Sequence, residues 1–362
     1  MSIYSLFHID LSAVAHNAAT VQNRVAPARL FGVVKGDAYG LGLNKVGPIL
    51  RQAGAAGLVI NDVKEAKQLR EHGDMGFLLC VAPSSTTDID RLLAMRVTLS
   101  VGDLIELDRV AIRARTAGTE ASVHLEVDTG IGRHGFLPEA LGAAMARLMR
   151  EEGLHVAGAW THLVDTSDRE QSYQQLTRFL EVTASMPAEV DRHICNSGGL
   201  RLGREYHLDA VRPGLALYGL APGLEQAGMA LRQVITWTTA VIGIVERRAG
   251  TSVGYNRASR LSRDSRLGYL PIGFAHGYPR LTRGVVAIRG RLVPIVGRVN
   301  MQGMLVDLTD VPDSVVGDEV TLVGSPEPSV ATLLEASEPA MIPNLFSCGR
   351  TKLTARRYSG GT

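Results

Sequence analysis

Cysteine is scarce in this chain: there are three in 362 residues, Cys80, Cys195 and Cys348, widely spaced and with no CxxC pair. That argues against a disulfide framework or a zinc site, and each thiol reads as a small apolar core residue. The ten histidines include no HExxH pair, so no metal is expected. Neither sign of charge dominates. Lys and Arg number 38 against 36 Asp and Glu, a formal charge of +2, without the concentrated basic face that a nucleic-acid backbone requires. No run approaches the ~20 consecutive apolar residues that cross a bilayer, and Met1 to Asp10 carries neither a basic nor an apolar leader region. A cytoplasmic protein without nucleic-acid or membrane partners is expected.

What is present is an ordinary globular composition, 45% apolar and 20% charged, in a chain long enough for two domains or one large barrel with an appendage. Short β-branched runs bounded by glycine alternate with helical-period stretches, the sign of parallel βα units. Eight such strands are read: Leu30–Lys35, Gly57–Ile60, Phe77–Val81, Val97–Val101, Ser122–Val127, Val156–His162, His193–Asn196 and Ala210–Arg212. Helices are expected at Gly42–Ala53, Val63–His72, Thr87–Met95, Asp103–Ala117, Pro138–Glu152 and Arg169–Ser185. Eight repeats predict an α/β fold, a (β/α)8 TIM barrel. After Gly219 the helical signals fade, and Ile235–Val245, Leu267–Ile272, Gly284–Ile288, Leu292–Val299, Met304–Leu308 and Glu319–Val323 read as antiparallel strands of a second, mostly β domain. Pro222–Leu231 is the expected joint, and no internal repeat appears beyond the βα alternation.

In a barrel of this kind reactive groups come from the C-terminal ends of strands. Five polar clusters sit there: Lys35, the run Asp128 to Arg133, His162, Asn196-Ser197-Gly198-Gly199, and Arg212-Pro213-Gly214. Their distribution predicts one shared site at the barrel mouth. A lysine closing an apolar strand is expensive to bury as a cation, so it is either salt-bridged or neutralised by covalent chemistry such as Schiff-base formation. The loops after the seventh and eighth strands, where barrels often hold a phosphate, supply a hydroxyl and glycine amides. Lysine plus phosphate cradle points to pyridoxal 5'-phosphate as electron sink.

Eight segments, VVKGDAYGLG, EVDTGIGRHGF, THL, NSGG, VRPGLALYG, SVGYNR, IGFAHGYPR and GRVNMQGMLVDL, together and in this order resemble the alanine racemase family over nearly the whole chain. The opening HIDLSAVAHNAATV is similar to that family's start, whose first strand belongs to the C-terminal β domain. The resemblance thus implies a barrel over residues 9–228 and a β domain over 229–362, with the N-terminal strand 1–8 packing on the latter. It implies that Lys35 carries the cofactor. It also implies that Tyr255 is the opposing acid/base, delivered from the partner subunit of a homodimer. Racemisation takes the Cα proton from one face of a planar carbanion and returns it to the other, so two such groups suffice. By the same residue-wise match Arg212 faces the pyridine nitrogen. Tyr39, Asn196, Ser197 and Gly214 hold the cofactor, and His162 lies against its ring. Arg133 and the Met301 amide meet the substrate carboxylate.

Four positions depart from the family pattern. Glu126, seven residues before Arg133, stands where many members have a lysine that becomes carbamylated. A glutamate also puts a carboxylate beside the arginine, so pairing of Glu126 with Arg133 is expected and carbamylation is not. Asn344 falls at the position of an active-site tyrosine, which would enlarge the pocket and admit serine or a wider substrate range. Phe274 replaces an entry-channel tyrosine, and Gln302 follows Met301 where aspartate is usual. The expected activity is interconversion of L- and D-alanine through Lys35 and Tyr255. Its rivals are a serine-preferring or broad-spectrum racemase, a barrel-type decarboxylase, and a non-catalytic pyridoxal phosphate-binding protein.

Overall fold

The computed structural model describes residues 5–148, 151, 153–221, 223–324 and 353–361. The chain divides into two compact units, Ala13–Ala38 with Gly42–Arg232, and Met1–Ser12 with Tyr39–Leu41 and Gln233–Thr362.

The first unit is a ring of eight parallel strands: Arg29–Val33, Gly57–Ile60, Phe77–Cys80, Thr98–Val101, Ala121–Glu126, Leu154–Trp160, Asp191–His193 and Ala210–Val211. Each pairs with its sequence neighbour up to the seventh, and the eighth pairs with the first, Arg29 opposite Ala210 and Leu30 opposite Val211. The seam between the seventh and eighth is closed by backbone bonds outside any named ladder. Asp209 N–H donates to the Arg192 carbonyl at 3.0 Å and Arg212 N–H to that of Cys195 at 2.8 Å. Strands covered on both faces read as continuous apolar runs, and Gly57–Ile60 and Thr98–Val101 are buried at every position.

The covering helices start where side chains accept the first free amides: Asp62 for Val63–Glu71, Ser85 for Thr86–Ala94, Asp103 for Leu104–Thr116 and Asp168 for Arg169–Thr183. The expected helix Pro138–Glu152 begins instead as a 3-10 turn, Pro138–Ala140, before the helix Leu141–Leu148. Among the described residues of this unit, only 3-10 turns follow the seventh and eighth strands, at Gly199–Arg201, Arg204–Tyr206, Leu215–Tyr218 and Glu225–Ala227. Asn-Ser-Gly-Gly and Arg-Pro-Gly cannot propagate a helix cheaply, since glycine loses about 1 kcal/mol relative to alanine there.

The second unit holds a nine-stranded sheet among the described residues. In spatial order its strands are Gly243–Arg247, Ser265–Leu270, Met304–Asp307, Arg291–Val296, Val285–Ile288, Glu319–Val323, Ile235–Ala240, Leu6–Asp10 and Ala355–Ser359. Leu6–Asp10 runs antiparallel to Ile235–Ala240 and parallel to Ala355–Ser359. Phe7 meets Trp237 across the first of these pairs, ring centroids 5.1 Å apart. The segment Ile235–Val245, expected as one strand, is two. Val241 N–H goes to the Asp318 carbonyl and Ile242 N–H to that of Tyr269, so the chain leaves one pairing and enters another at that point.

Candidate active site

The first barrel strand ends at Val33, two residues before the lysine that the sequence assigned to it. Lys35 opens a tight turn in which Gly36, Asp37, Ala38 and Tyr39 all have left-handed backbone, φ between 52° and 71°. Each non-glycine residue there costs about 1 kcal/mol or more, so something must hold the turn. Glu65 does: its Oε1 accepts from the Gly36 and Asp37 amides and its Oε2 from the Asn61 amide at 2.8 Å. From sequence Glu65 reads as the first-turn acid of a capped helix after Asp62, which concealed this task. Lys35 itself is half-buried, and no group among the described residues accepts a hydrogen bond from its Nζ. Burial lowers its pKa, assisted by the guanidinium groups of Arg133 and Arg212 and opposed by Glu65 and Glu126.

Arg212 is buried at the end of the eighth strand and its fork is fully directed. One nitrogen donates to Nδ1 and, at 2.8 Å, to the carbonyl of His193; the other donates to the Thr161 carbonyl at 2.6 Å. Its guanidinium lies 4.7 Å from the Trp160 ring centroid. Burial brings its pKa down to about 10, which still leaves a cation at neutral pH. Because His193 Nδ1 accepts from an arginine, its proton sits on Nε2 and is donated to His124 Nδ1 at 2.8 Å. His124 then carries its own proton on Nε2, a buried atom without a partner among the described residues. Burial, and after it Arg212, pushes His124 down to about 3 and His193 well below the usual range, so both stay neutral. The sequence reading missed both histidines, which carry no spacing signal.

The sixth strand ends at Trp160, two residues before the His162 expected to close it, and burial with Arg212, Arg133 and Lys35 nearby lowers His162 to about 3. Arg133 and Glu126 do pair, NH2 to Oε1 at 3.4 Å, with the glutamate side chain 3% exposed and the arginine 53%. The second glutamate oxygen is taken by His134, Nδ1 to Oε2 at 2.9 Å, a residue visible in GRHGF but not singled out.

The loops after the last two strands interlock. Ser197 Oγ accepts from the Gly214 amide at 2.9 Å and the Ala216 amide at 3.1 Å, which uses both lone pairs and leaves its O–H to donate elsewhere. Asn196 Oδ1 accepts from Gly199 N–H at 3.0 Å, and its Nδ2 donates to the Leu163 carbonyl at 3.3 Å. A half-buried amine without an acceptor among the described residues, a fixed cation and a serine hydroxyl whose proton remains to be donated suit an aldehyde-bearing phosphate such as pyridoxal phosphate.

In the second unit, Tyr255 opens a short turn between the paired strands Ser252–Val253 and Ser259–Arg260, and it is 67% exposed. Met301 and Phe274 are also exposed, on segments joined by Phe274 N–H to the Asn300 carbonyl and Ala275 N–H to that of Met301. The Met301 N–H makes no hydrogen bond among the described residues. Gln302 is exposed. Tyr39 is half-buried, its phenol pushed up to about 12 by burial. Asn344 and Cys348 lie outside the described residues.

Residues 9–222 match the family described as alanine racemase, N-terminal domain, and residues 234–358 that described as alanine racemase, C-terminal domain. The alanine racemase of Symbiobacterium thermophilum is 35% identical over 368 residues, 98% of this chain and 97% of its own. That of Syntrophobacter fumaroxidans is 35% identical over 331 residues, covering 89% and 88%. Among solved structures, alanine racemase from D-cycloserine-producing Streptomyces lavendulae superposes with a TM-score of 0.91 at 29% identity, covering 100% of this chain and 98% of that one. Alanine racemase from Bartonella henselae with covalently bound pyridoxal phosphate superposes with a TM-score of 0.89 at 28% identity, covering 98% and 99%. The chain belongs to the alanine racemase family.

Proposed function

We propose that this protein is a pyridoxal 5'-phosphate-dependent racemase that interconverts L- and D-alanine. The observation that carries the reading is Lys35, a half-buried amine of lowered pKa beside two guanidinium groups, in a chain whose two halves both match the family. When bound, pyridoxal phosphate supplies the electron sink that makes the alanine Cα–H acidic.

The chain's own residues do the rest. Lys35 Nζ holds the cofactor and moves a proton at Cα on one face, and its lowered pKa leaves more of it as free amine. Tyr255 Oη moves the proton on the opposite face, and its exposure in a single chain fits delivery to a second copy in a homodimer. Arg133 and the Met301 amide bind the substrate carboxylate. The Ser197 hydroxyl, oriented by the Gly214 amide it accepts, and the Tyr39 phenol would hold the phosphate end, with Asn196 beside them, and His162, kept neutral, would contact the cofactor. Arg212, locked by three acceptors, would offer the bound cofactor a cation that does not readily give up a proton.

The test is incubation of the holoprotein with L-alanine in D2O, followed by chiral chromatography and mass spectrometry. The expected result is an equal mixture of enantiomers with deuterium at Cα. L-Alanine recovered unchanged and undeuterated overturns the reading.

A further inference from the structure

We propose that His134 is a positioning residue, which fixes Glu126 and through it sets Arg133 for the substrate carboxylate. This rests on the reading above, in which Arg133 meets that carboxylate. The His134 ring lies between two buried carboxylates: Nδ1 is 2.9 Å from Glu126 Oε2, and Nε2 is 3.5 Å from Glu106 Oε2. Glu126 turns its other oxygen to Arg133 at 3.4 Å. Four side chains thus form a row of acid, base, acid, base: Glu106, His134, Glu126, Arg133. Both ends of the imidazole face a carboxylate oxygen.

Geometry shows that the ring's place is built rather than incidental. Glu106 is anchored by the Gly102 amide, donated to its Oε2 at 2.9 Å. A Cβ at residue 102 would stand 2.2 Å from His134 Cε1 and 2.9 Å from the Gly135 backbone nitrogen, so only glycine leaves room for the ring. The loop that carries Arg133 and His134 is clamped back on the strand end by Phe136 N–H to the Glu126 carbonyl at 2.8 Å and Asp128 N–H to that of Phe136 at 2.9 Å. His134 is therefore held at both the backbone and the ring.

The chemical consequence follows from the Arg133 contact. At 3.4 Å with a half-exposed arginine, the Glu126–Arg133 pair is too long to orient a guanidinium alone. A carboxylate free to rotate would spread Arg133 over several positions. With Oε2 tied to His134, the carboxylate plane is fixed and Oε1 has one direction in which to draw Arg133. Such support acts on carboxylate binding in the ground and transition states alike, so it shows in KM rather than kcat.

The experiment compares Arg133→Ala, His134→Leu and His134→Gln holoenzymes in alanine racemisation. It adds the Kd of propionate, a carboxylate without the amine, by calorimetry, and the Kd of the apoproteins for pyridoxal phosphate by fluorescence. For His134→Leu the expected result is a rise of about tenfold in KM and in propionate Kd, the size of one lost charge-assisted hydrogen bond, with kcat and cofactor Kd held within about threefold. His134→Gln, whose amide still donates to Glu126, should recover most of that loss. Should His134→Leu fail to fold, His134→Gln against Gly102→Ala, which displaces the ring sterically, carries the same comparison. Unchanged KM and propionate Kd in folded His134→Leu, beside a raised KM in Arg133→Ala, overturns the role of His134 alone. No effect of Arg133→Ala overturns the assignment of Arg133 as well.

Discussion

Arg212 donates to His193 twice, once to the ring Nδ1 and once to the main-chain carbonyl, so a single residue of the seventh strand both orients the guanidinium and is itself held in one tautomer by it. The two residues sit at the pair of barrel strands that share no regular ladder, joined by scattered backbone bonds and by Arg192 with Asp209. Their side-chain contact therefore also helps to close the ring. Arg212→Met should leave the His193 Nδ1 and Thr161 carbonyl acceptors without this donor, while the His193 carbonyl keeps the Thr161 N–H at 3.2 Å. At ~1–3 kcal/mol for each orphaned group, urea denaturation of the apoprotein should show a loss of about 2 kcal/mol or more. A loss below about 1 kcal/mol would mean that the seam does not depend on this arginine.

Gly158 faces the other end of the same chain of rings, where an added Cβ would lie 2.6 Å from the His124 imidazole. Gly158→Ala should push His124 away from His193 and free the His193 Nε2 proton to exchange. The expected signature is a changed ring 15N shift at His193, with a lowered Tm. Unaltered His193 shifts would show that the ring chain has slack.

Lys35 should react as a free amine at lower pH than an exposed lysine. Burial and two nearby cations disfavour the ammonium, so the folded pKa is below the usual 10.5 and the reactive amine persists to lower pH than at an exposed lysine. The rate of acylation of Lys35 in the apoprotein, followed by mass spectrometry, should level off at a lower pH than for a lysine peptide. Arg133→Met removes a cation that disfavours the ammonium, and the break should move up. A break that coincides with the peptide's would contradict the burial argument.

Glu65 is expected to matter for stability and cofactor attachment without touching either reactant. Glu65→Leu leaves the Gly36, Asp37 and Asn61 amides without their acceptor, and the left-handed turn should loosen by about 2–4 kcal/mol. Hydrogen exchange at those amides is the measurement that checks it. Protection equal to wild type would assign the turn's stability elsewhere.

Sharing of the site between two copies can be read from mixing. Lys35→Ala and Tyr255→Phe should each be inactive alone. If each site draws its lysine from one copy and its tyrosine from the other, co-refolding the two variants should restore up to about a quarter of wild-type activity, since a hybrid dimer has one intact site. No recovery in verified hybrids would place both groups within one chain.

The alternation of short apolar strands with capped helices was legible because strand and helix periods, caps and glycine stops are local properties of the chain. Polar residues near strand ends were legible for the same reason, which is how Lys35, His162, Ser197 and Arg212 stand out in the sequence. Tertiary structure alone decided what holds them. His193 reaches Arg212 across adjacent strands, Glu65 accepts amides from the neighbouring strand's turn, and Glu106 closes on His134 from the helix after the fourth strand. Such partners are set by strand order and by which side chains face one another across a ladder, and no spacing along the chain encodes them. The split of Ile235–Val245 has the same origin: its residues favour extended backbone throughout, and only the change of pairing partner at Val241 and Ile242 ends one strand and begins the next.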